Sequence, residues 1–138
     1  MMSADLPSYE DDATISNDAQ LWRRIPPWHL VLDKNFGRIR PSSAAFDDDP
    51  EGTPMSVALG DDVLAAGREP VTVLAGHDDF FLASVRAALA RSLKQGIVRR
   101  PTQVEPAHAE VLGRKTHSVR RKFARAAVWV IAPSDDSG

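Results

Sequence analysis

Apolar residues between Asp79 and Gly96 recur at steps of three and four positions, which is the spacing of one helix face. Asp79 is placed to cap such a helix, and Gly96 is placed to end it. The residues that carry the spacing are Phe81, Leu82, Val85, Ala88, Leu89 and Leu93. The pattern predicts a helix. The apolar start, residues 80–85, also suits a strand that leads into a shorter helix, and this alternative stays open.

Shorter runs of apolar and β-branched residues predict strands elsewhere. They occupy residues 21–25, 28–32, 55–59, 97–100, 107–113 and 128–132. Residues 70–76 are also predicted as a strand, with a helical turn as the alternative. Pro26 and Pro27 would end the first strand, because proline lacks the N–H that a strand donates. Residues 33–38 have the composition of a hairpin turn, in which Gly37 can adopt a positive φ.

Two further helices are predicted from caps and spacing. One covers residues 60–67, with Asp61 as its N-cap and Gly67 as its end. The other covers residues 118–127, with Ser118 as its N-cap. Strands and helices are interspersed without a regular βαβ order. The sequence therefore predicts a small single-domain α+β fold, with a short, mostly antiparallel sheet and about two main helices.

Composition divides the chain into three segments. Residues 1–20 hold five acids and no Lys or Arg, which predicts a disordered acidic arm. Residues 21–133 form the predicted domain, and residues 134–138 form a predicted disordered tail. The polar N-terminus predicts no signal peptide, the longest apolar run is too short to span a membrane, and cysteine is absent. We therefore expect a cytoplasmic protein without membrane contact.

The net charge of −2 conceals a strong asymmetry. Residues 1–79 hold six Lys or Arg and fifteen Asp or Glu, a balance of −9. Residues 80–132 hold eleven Lys or Arg and two acids, a balance of +9. Such a split indicates either a surface that binds an acidic partner or two halves that lie together and neutralise one another.

The predicted helix 118–127 is the centre of the basic half. On a helical wheel, Phe123 lies on its apolar side, and cations span the opposite side. No acid follows Glu110 until Asp135. The expected partner is an acidic protein surface or nucleic acid. Phe123 and Trp129 are predicted to be buried, which leaves no aromatic side chain to stack bases and favours a protein. The candidate partner-binding and anion-binding residues are Arg114, Lys115, Arg120, Arg121, Lys122 and Arg125.

An enzyme is the alternative function. A metal-independent ribonuclease needs a histidine that moves a proton and a cation that stabilises the charged transition state. His108 supplies the first group, and Lys115 supplies the second if the turn at Gly113 brings it back towards His108. The candidate catalytic residues are His108, Lys115 and Thr116, with Arg114 as a second cation. A histidine on a short strand is more often a packed residue, so a non-catalytic binding module is the leading hypothesis.

A third hypothesis is an NAD-dependent transferase. Two arginines and a serine stand close together in the sequence, and such groups bind anionic cofactors; they are Arg38, Arg40 and Ser42. No Glu stands where a catalytic acid is needed, which places this hypothesis third. His77 is followed by Asp78 and Asp79, but these residues lack further metal ligands at a suitable spacing. For the leading hypothesis we expect no metal and no cofactor.

Overall fold

Six strands form one antiparallel sheet. The computed structural model describes residues 9–134. Together with a separate hairpin, the strands are β1 Gln20–Ile25, β2 Leu30–Asp33, β3 Arg38–Pro41, β4 Met55–Leu59, β5 Phe81–Arg86, β6 Gly96–Arg99, β7 His108–Leu112 and β8 Val128–Ile131. The helices are α1 Gly60–Ala65, α2 Ala87–Ser92 and α3 His117–Ala126, and short 3-10 helices cover Pro27–His29, Ser43–Phe46 and Pro70–Leu74. This architecture confirms the predicted small α+β fold. The predicted tail lies outside the described residues, apart from Ser134.

The strands of the sheet follow the order β6–β7–β4–β1–β5–β8, and all neighbours are antiparallel. β1 pairs with β5 along its whole length, but it pairs with β4 only from Leu21 to Trp22. β1 and β4 therefore separate at Arg23. The carbonyl of Ser56 in β4 is thereby left for the Arg23 side chain, which donates to it at 2.8 Å.

β2 and β3 form a hairpin outside the main sheet. The predicted turn is confirmed, because Gly37 adopts a φ of +65° and its amide donates to the Asp33 carbonyl at 2.8 Å. The hairpin is tied to β8 by the Trp129 indole, which donates to the Ile39 carbonyl at 3.0 Å. This contact fixes the hairpin beside the sheet and close to the end of α3.

Side chains alternate across the sheet, so the strands contribute to an apolar core on each face. The larger core is covered by α2, α3 and the 3-10 helix Ser43–Phe46, and it includes Leu21, Ile25, Phe46 and Phe123. The smaller core is covered by α1 and the 3-10 helix Pro70–Leu74, and it includes Trp22, Val63, Val73 and Leu82. The two faces therefore carry different surface features.

The helix predicted over 79–96 is wrong in its first half. Residues Phe81–Arg86 form β5, which lies between β1 and β8, and only then does α2 begin. A strand inside a sheet is buried on both faces, so its apolar residues run continuously and imitate one face of a helix. The alternative of a strand leading into a shorter helix is confirmed. Gly96 begins β6 instead of ending a helix.

The predicted acidic arm belongs in part to the folded domain. Residues 1–8 lie outside the described residues. The Asp12 amide donates to the Ile97 carbonyl of β6 at 2.7 Å, and Ile15 is 2% exposed within the larger core. The prediction of disorder is therefore corrected for residues 9–20. This segment covers the edge of β6, which would otherwise present unpaired backbone groups.

Three local predictions are also corrected. α1 begins at Gly60, and Asp61 lies in its first turn without capping it. α3 is capped by Thr116, whose Oγ1 accepts a hydrogen bond from the Val119 amide at 3.2 Å, and not by Ser118. Residues Pro70–Leu74 form a 3-10 helix, which is the predicted helical turn and not the strand.

Candidate anion-binding site

Ion pairs join the two charged halves of the chain. Six cations from residues 80–132 lie within 3.6 Å of an acid from residues 1–79. The pairs are Arg86–Asp18, Arg91–Asp11, Arg99–Asp12, Arg99–Asp62, Arg100–Glu10, Lys115–Asp48 and Arg120–Asp47. The halves therefore neutralise one another at these six cations.

The acidic loop 47–49 holds cations in the interior of the domain. Arg23 has a side chain only 15% exposed, and it pairs with Asp49 at 3.2 Å. The same guanidinium donates to the carbonyls of Ala45 and Ser56 at 2.9 and 2.8 Å. Burial lowers the pKa of Arg23, and the Asp49 carboxylate opposes that shift. Arg23 is thus a structural cation with its donors occupied by the protein.

Lys115 is buried in the same way. Its side chain is 2% exposed, and its Nζ lies 3.0 Å from Asp48 Oδ1. Nζ also donates to the carbonyls of Val111 and Gly113, both at 2.8 Å. An ammonium group has three donors, and all three are used here. Burial lowers the pKa of Lys115, while the bond to Asp48 raises it. Lys115 has no donor left for a substrate or a partner.

The structure does not bring the predicted catalytic residues together. His108 begins β7, and Lys115 follows the other end of that strand. Four steps of about 3.3 Å along β7 already separate His108 from Leu112 by about 13 Å. The Lys115 ammonium turns into the interior towards Asp48, and the Thr116 hydroxyl caps α3. This separation removes support from the ribonuclease hypothesis in the form that the sequence suggested.

A basic cleft lies between α3, the β2–β3 hairpin and the 3-10 helix Ser43–Phe46. Its volume is about 310 Å³. Within the described part of the chain, its lining consists of three arginines, a histidine, two serines and two apolar residues, without an Asp or Glu: Arg40, Arg121, Arg125, His117, Ser42, Ser43, Val31 and Ala124. Guanidinium and hydroxyl donors in one concavity are suited to carboxylate or phosphate groups.

Packing in the larger core explains how these groups meet. Phe123 of α3 stacks on Phe46 of the 3-10 helix, with ring centroids 5.8 Å apart, and both rings are fully buried. This contact fixes one side of α3. Arg121 and Arg125 are one helical turn apart, so they lie on the same side of α3 and face the cleft together.

The hairpin supplies the opposite wall of the basic cleft. Arg40 of β3 is paired with Val31 of β2 in the hairpin register, and both line the cleft. The Ser42 amide donates to the His29 carbonyl at 2.8 Å, which fixes the start of the 3-10 helix. Ser42 does not cap that helix with its side chain. Its hydroxyl is therefore available to a bound anion.

The charge of the basic cleft is only partly balanced by the protein. Arg40 lies 3.5 Å from Asp33. Arg121 and Arg125 have no carboxylate within 4 Å among residues 9–134. Both side chains are exposed at the mouth of the cleft. Two uncompensated guanidinium groups on one side of a concavity attract an anion, and this attraction weakens as salt screens it.

The predicted anion-binding residues divide into three groups. Arg121 and Arg125 line the basic cleft, whereas Lys115 and Arg120 pair with acids of the 47–49 loop. Arg114 and Lys122 are exposed outside the lining of the cleft: they form no part of it. Ser43 and His117, which stand beside the candidate residues in the sequence, also line the cleft. His117 lies on the first turn of α3 because the helix is capped at Thr116.

The residues of the transferase hypothesis also separate. Arg40 and Ser42 line the basic cleft. Arg38 lies on the hairpin outside the cleft lining, with its guanidinium carbon 5.9 Å from the centre of the Phe36 ring. The transferase hypothesis uses Arg40 of β3, and the partner-binding hypothesis uses Arg121 and Arg125 of α3. The structure places all three in one cleft.

Comparisons with known proteins do not assign this site. No family model matches the chain, no curated protein matches its sequence, and no solved structure matches its fold.

Two kinds of feature, a metal site and a membrane-spanning helix, are absent from the residues that the structure describes. Among residues 9–134, no group of three or more His, Asp or Glu side chains is arranged to hold a metal ion. In the same range, no helix has both the length and the apolar character needed to cross a membrane.

Proposed function

We propose that this protein is a non-catalytic binding module whose basic cleft holds an acidic segment of a partner protein. Carboxylates of the partner would pair with Arg121 and Arg125, and Ser42 and Ser43 would donate hydrogen bonds to them. One observation carries the proposal. Six cations of the basic half are paired within the chain, whereas these two arginines face a cavity that no acid of the described range 9–134 lines.

The shape and lining of the basic cleft favour a protein over nucleic acid. Among residues 9–134 its lining includes no Phe, Tyr or Trp, so it lacks the large aromatic surfaces on which single-strand binders stack bases. Phe123 is buried in the core, and the Trp129 indole is bonded to Ile39. A cavity of about 310 Å³ has room for a few side chains of a partner protein.

The pyrophosphate of NAD is the second anionic ligand that the basic cleft suggests. Arg40 and Ser42 both line it, as the transferase hypothesis requires. An NAD-dependent transfer also needs a carboxylate that stabilises the developing cation, and no Asp or Glu among residues 9–134 lines the cleft. The geometry therefore supports binding of an anion better than this transfer reaction.

Titration of a fluorescent hexaglutamate peptide, followed by anisotropy, tests the proposal. We expect saturable binding that weakens several-fold as the ionic strength rises from about 0.02 to about 0.2 M. Arg121→Ala and Arg125→Ala should each weaken binding about five-fold, since an exposed ion pair contributes up to about 1 kcal/mol.

Lys122→Ala is the matched control, because it removes the same charge from the same helix outside the cleft lining. It should change the dissociation constant less than two-fold. Binding that is insensitive to salt, or an equal loss in all three variants, would contradict the proposal. Unlabelled NAD and a six-nucleotide single strand serve as competitors. If either displaces the peptide at lower concentration than unlabelled hexaglutamate, the partner class proposed here is wrong.

A further inference from the structure

A second cavity lies on the opposite face of the sheet from the basic cleft. Strands β1, β4 and β7 and the 3-10 helix Pro70–Leu74 surround it, and its volume is about 70 Å³. A water molecule needs roughly 10–15 Å³ on this scale, so a small ion fits. Its apolar walls include Trp22, Ala58 and Val73, which belong to the smaller core. Its charged and titratable side chains are Arg24, Glu105 and His108.

Glu105 is fully engaged within the protein. Its two carboxylate oxygens accept hydrogen bonds from Arg68 at 2.7 and 2.8 Å, and Oε2 also accepts one from the Ala107 amide at 3.0 Å. The bonds from Arg68 lower the pKa of Glu105, so this group remains a carboxylate at neutral pH. Glu105 thus lines the cavity with its charge balanced by Arg68.

His108 presents one ring nitrogen to a ligand. Its Nδ1 lies 2.8 Å from the Arg100 carbonyl oxygen. A carbonyl oxygen only accepts hydrogen bonds, so Nδ1 carries the proton that is donated. Nε2 is then the acceptor in the neutral ring and a second donor in the protonated ring. The backbone therefore fixes the orientation of the ring without occupying Nε2.

Arg24 has donors that the protein leaves unused. Its Nη1 lies 3.2 Å from His77 Nδ1. In the region that the structure describes, no carboxylate lies within 4 Å of its guanidinium. A guanidinium has five N–H donors in a planar fork that matches the two oxygens of a carboxylate or phosphate. Arg24 and His108 therefore bring polar groups without a partner among residues 9–134 to one small cavity with apolar walls.

We infer that this cavity binds a small oxyanion, a short carboxylate or a phosphate, between Arg24 and His108. The guanidinium of Arg24 takes two oxygens of the anion. His108 in its protonated form donates a hydrogen bond from Nε2 to an anion oxygen, whereas the neutral ring accepts one at Nε2 only from the hydroxyl of a phosphate. Any short apolar body of the ligand packs against Trp22. This site is separate from the basic cleft and does not depend on the function proposed for it.

Two-dimensional ¹H–¹⁵N NMR of the full chain, titrated separately with propionate and with inorganic phosphate, tests the inference. The indole N–H signal of Trp22 reports on the cavity, and the backbone signals of Ser42 and Arg121 report on the basic cleft. We expect at least one anion to shift the Trp22 signal saturably, with a Kd of about 1 mM or tighter. The anion that binds more tightly identifies the ligand class.

Arg24→Gln should weaken this binding at least ten-fold, because the neutral amide replaces the guanidinium fork. Arg38→Gln is the control: this arginine is exposed and outside the cavity, and its loss should leave the Trp22 titration unchanged. His108→Ala is a second, independent variant that should weaken binding several-fold if Arg24→Gln does not fold. A linear, unsaturated shift of Trp22 with both anions, or unchanged binding in the folded variants of Arg24 and His108, would overturn the inference.

Discussion

Reversing the charge of the two α3 arginines in the basic cleft, with Arg121→Glu and Arg125→Glu in one chain, is expected to weaken hexaglutamate binding at least about 100-fold. Two favourable ion pairs are lost, and two carboxylates then face the carboxylates of the peptide. Like charges brought together in an interface cost several kcal/mol. Peptide anisotropy at low ionic strength measures the effect, which is the largest that we expect for any change in the cleft.

The double variant Arg114→Glu with Lys122→Glu is the control for overall charge. It changes the net charge by the same amount, and both positions are exposed outside the cleft lining. A loss of less than about five-fold is expected from long-range electrostatics alone. If this control loses as much affinity as the cleft variant, the peptide responds to the general charge of the protein and not to the cleft.

Arg23→Met is expected to destabilise the fold by about 3–5 kcal/mol, which is the usual cost of removing one partner from a buried ion pair. The change leaves the Asp49 carboxylate without its cation at the point where β1 and β4 separate. It also leaves the carbonyls of Ala45 and Ser56 without their donors. The free energy of unfolding of a small domain is about 5–15 kcal/mol, so this substitution would remove a large share of it.

Urea denaturation followed by tryptophan fluorescence measures this effect on the free energy of unfolding. Arg38→Met is the matched control, because Arg38 is exposed and forms only a contact with the Phe36 ring. Its effect should stay within about 0.5 kcal/mol. If Arg23→Met costs less than about 1 kcal/mol, the acidic loop 47–49 does not hold the fold together in the way described.

Local patterns in the sequence were sufficient for much of the fold. The hairpin at Gly37 and the strands β4, β7 and β8 follow from short-range chemistry, because turn residues and alternation act within a few positions. β5 could not be assigned in this way, since its burial on both faces results from pairing with β1 and β8. The N-terminal segment was missed for a similar reason: its contacts with β6 join residues more than 80 positions apart.

The sequence identified individual residues of the basic cleft, but it did not show that they form one cleft. Arg121 and Arg125 were found from helical spacing, and Arg40 was found from a local cluster, yet nothing local showed that they meet. Lys115 stands among the same cations in the sequence, but its burial against Asp48 depends on how the 47–49 loop packs. Charge balance could be counted from the sequence, whereas the identity of the unpaired cations required the fold.

The most direct test of the basic cleft is a ¹H–¹⁵N NMR titration of the full chain with unlabelled hexaglutamate. Shifts are expected at the signals of Ser42, Ser43, Arg121 and Arg125, all following one binding curve that weakens with salt. Trp22, on the opposite face of the sheet, should report no saturable shift below the concentrations at which free carboxylates bind its cavity. Shifts centred on Arg114 and Lys122, or no saturable shift at the cleft, would contradict the proposed function.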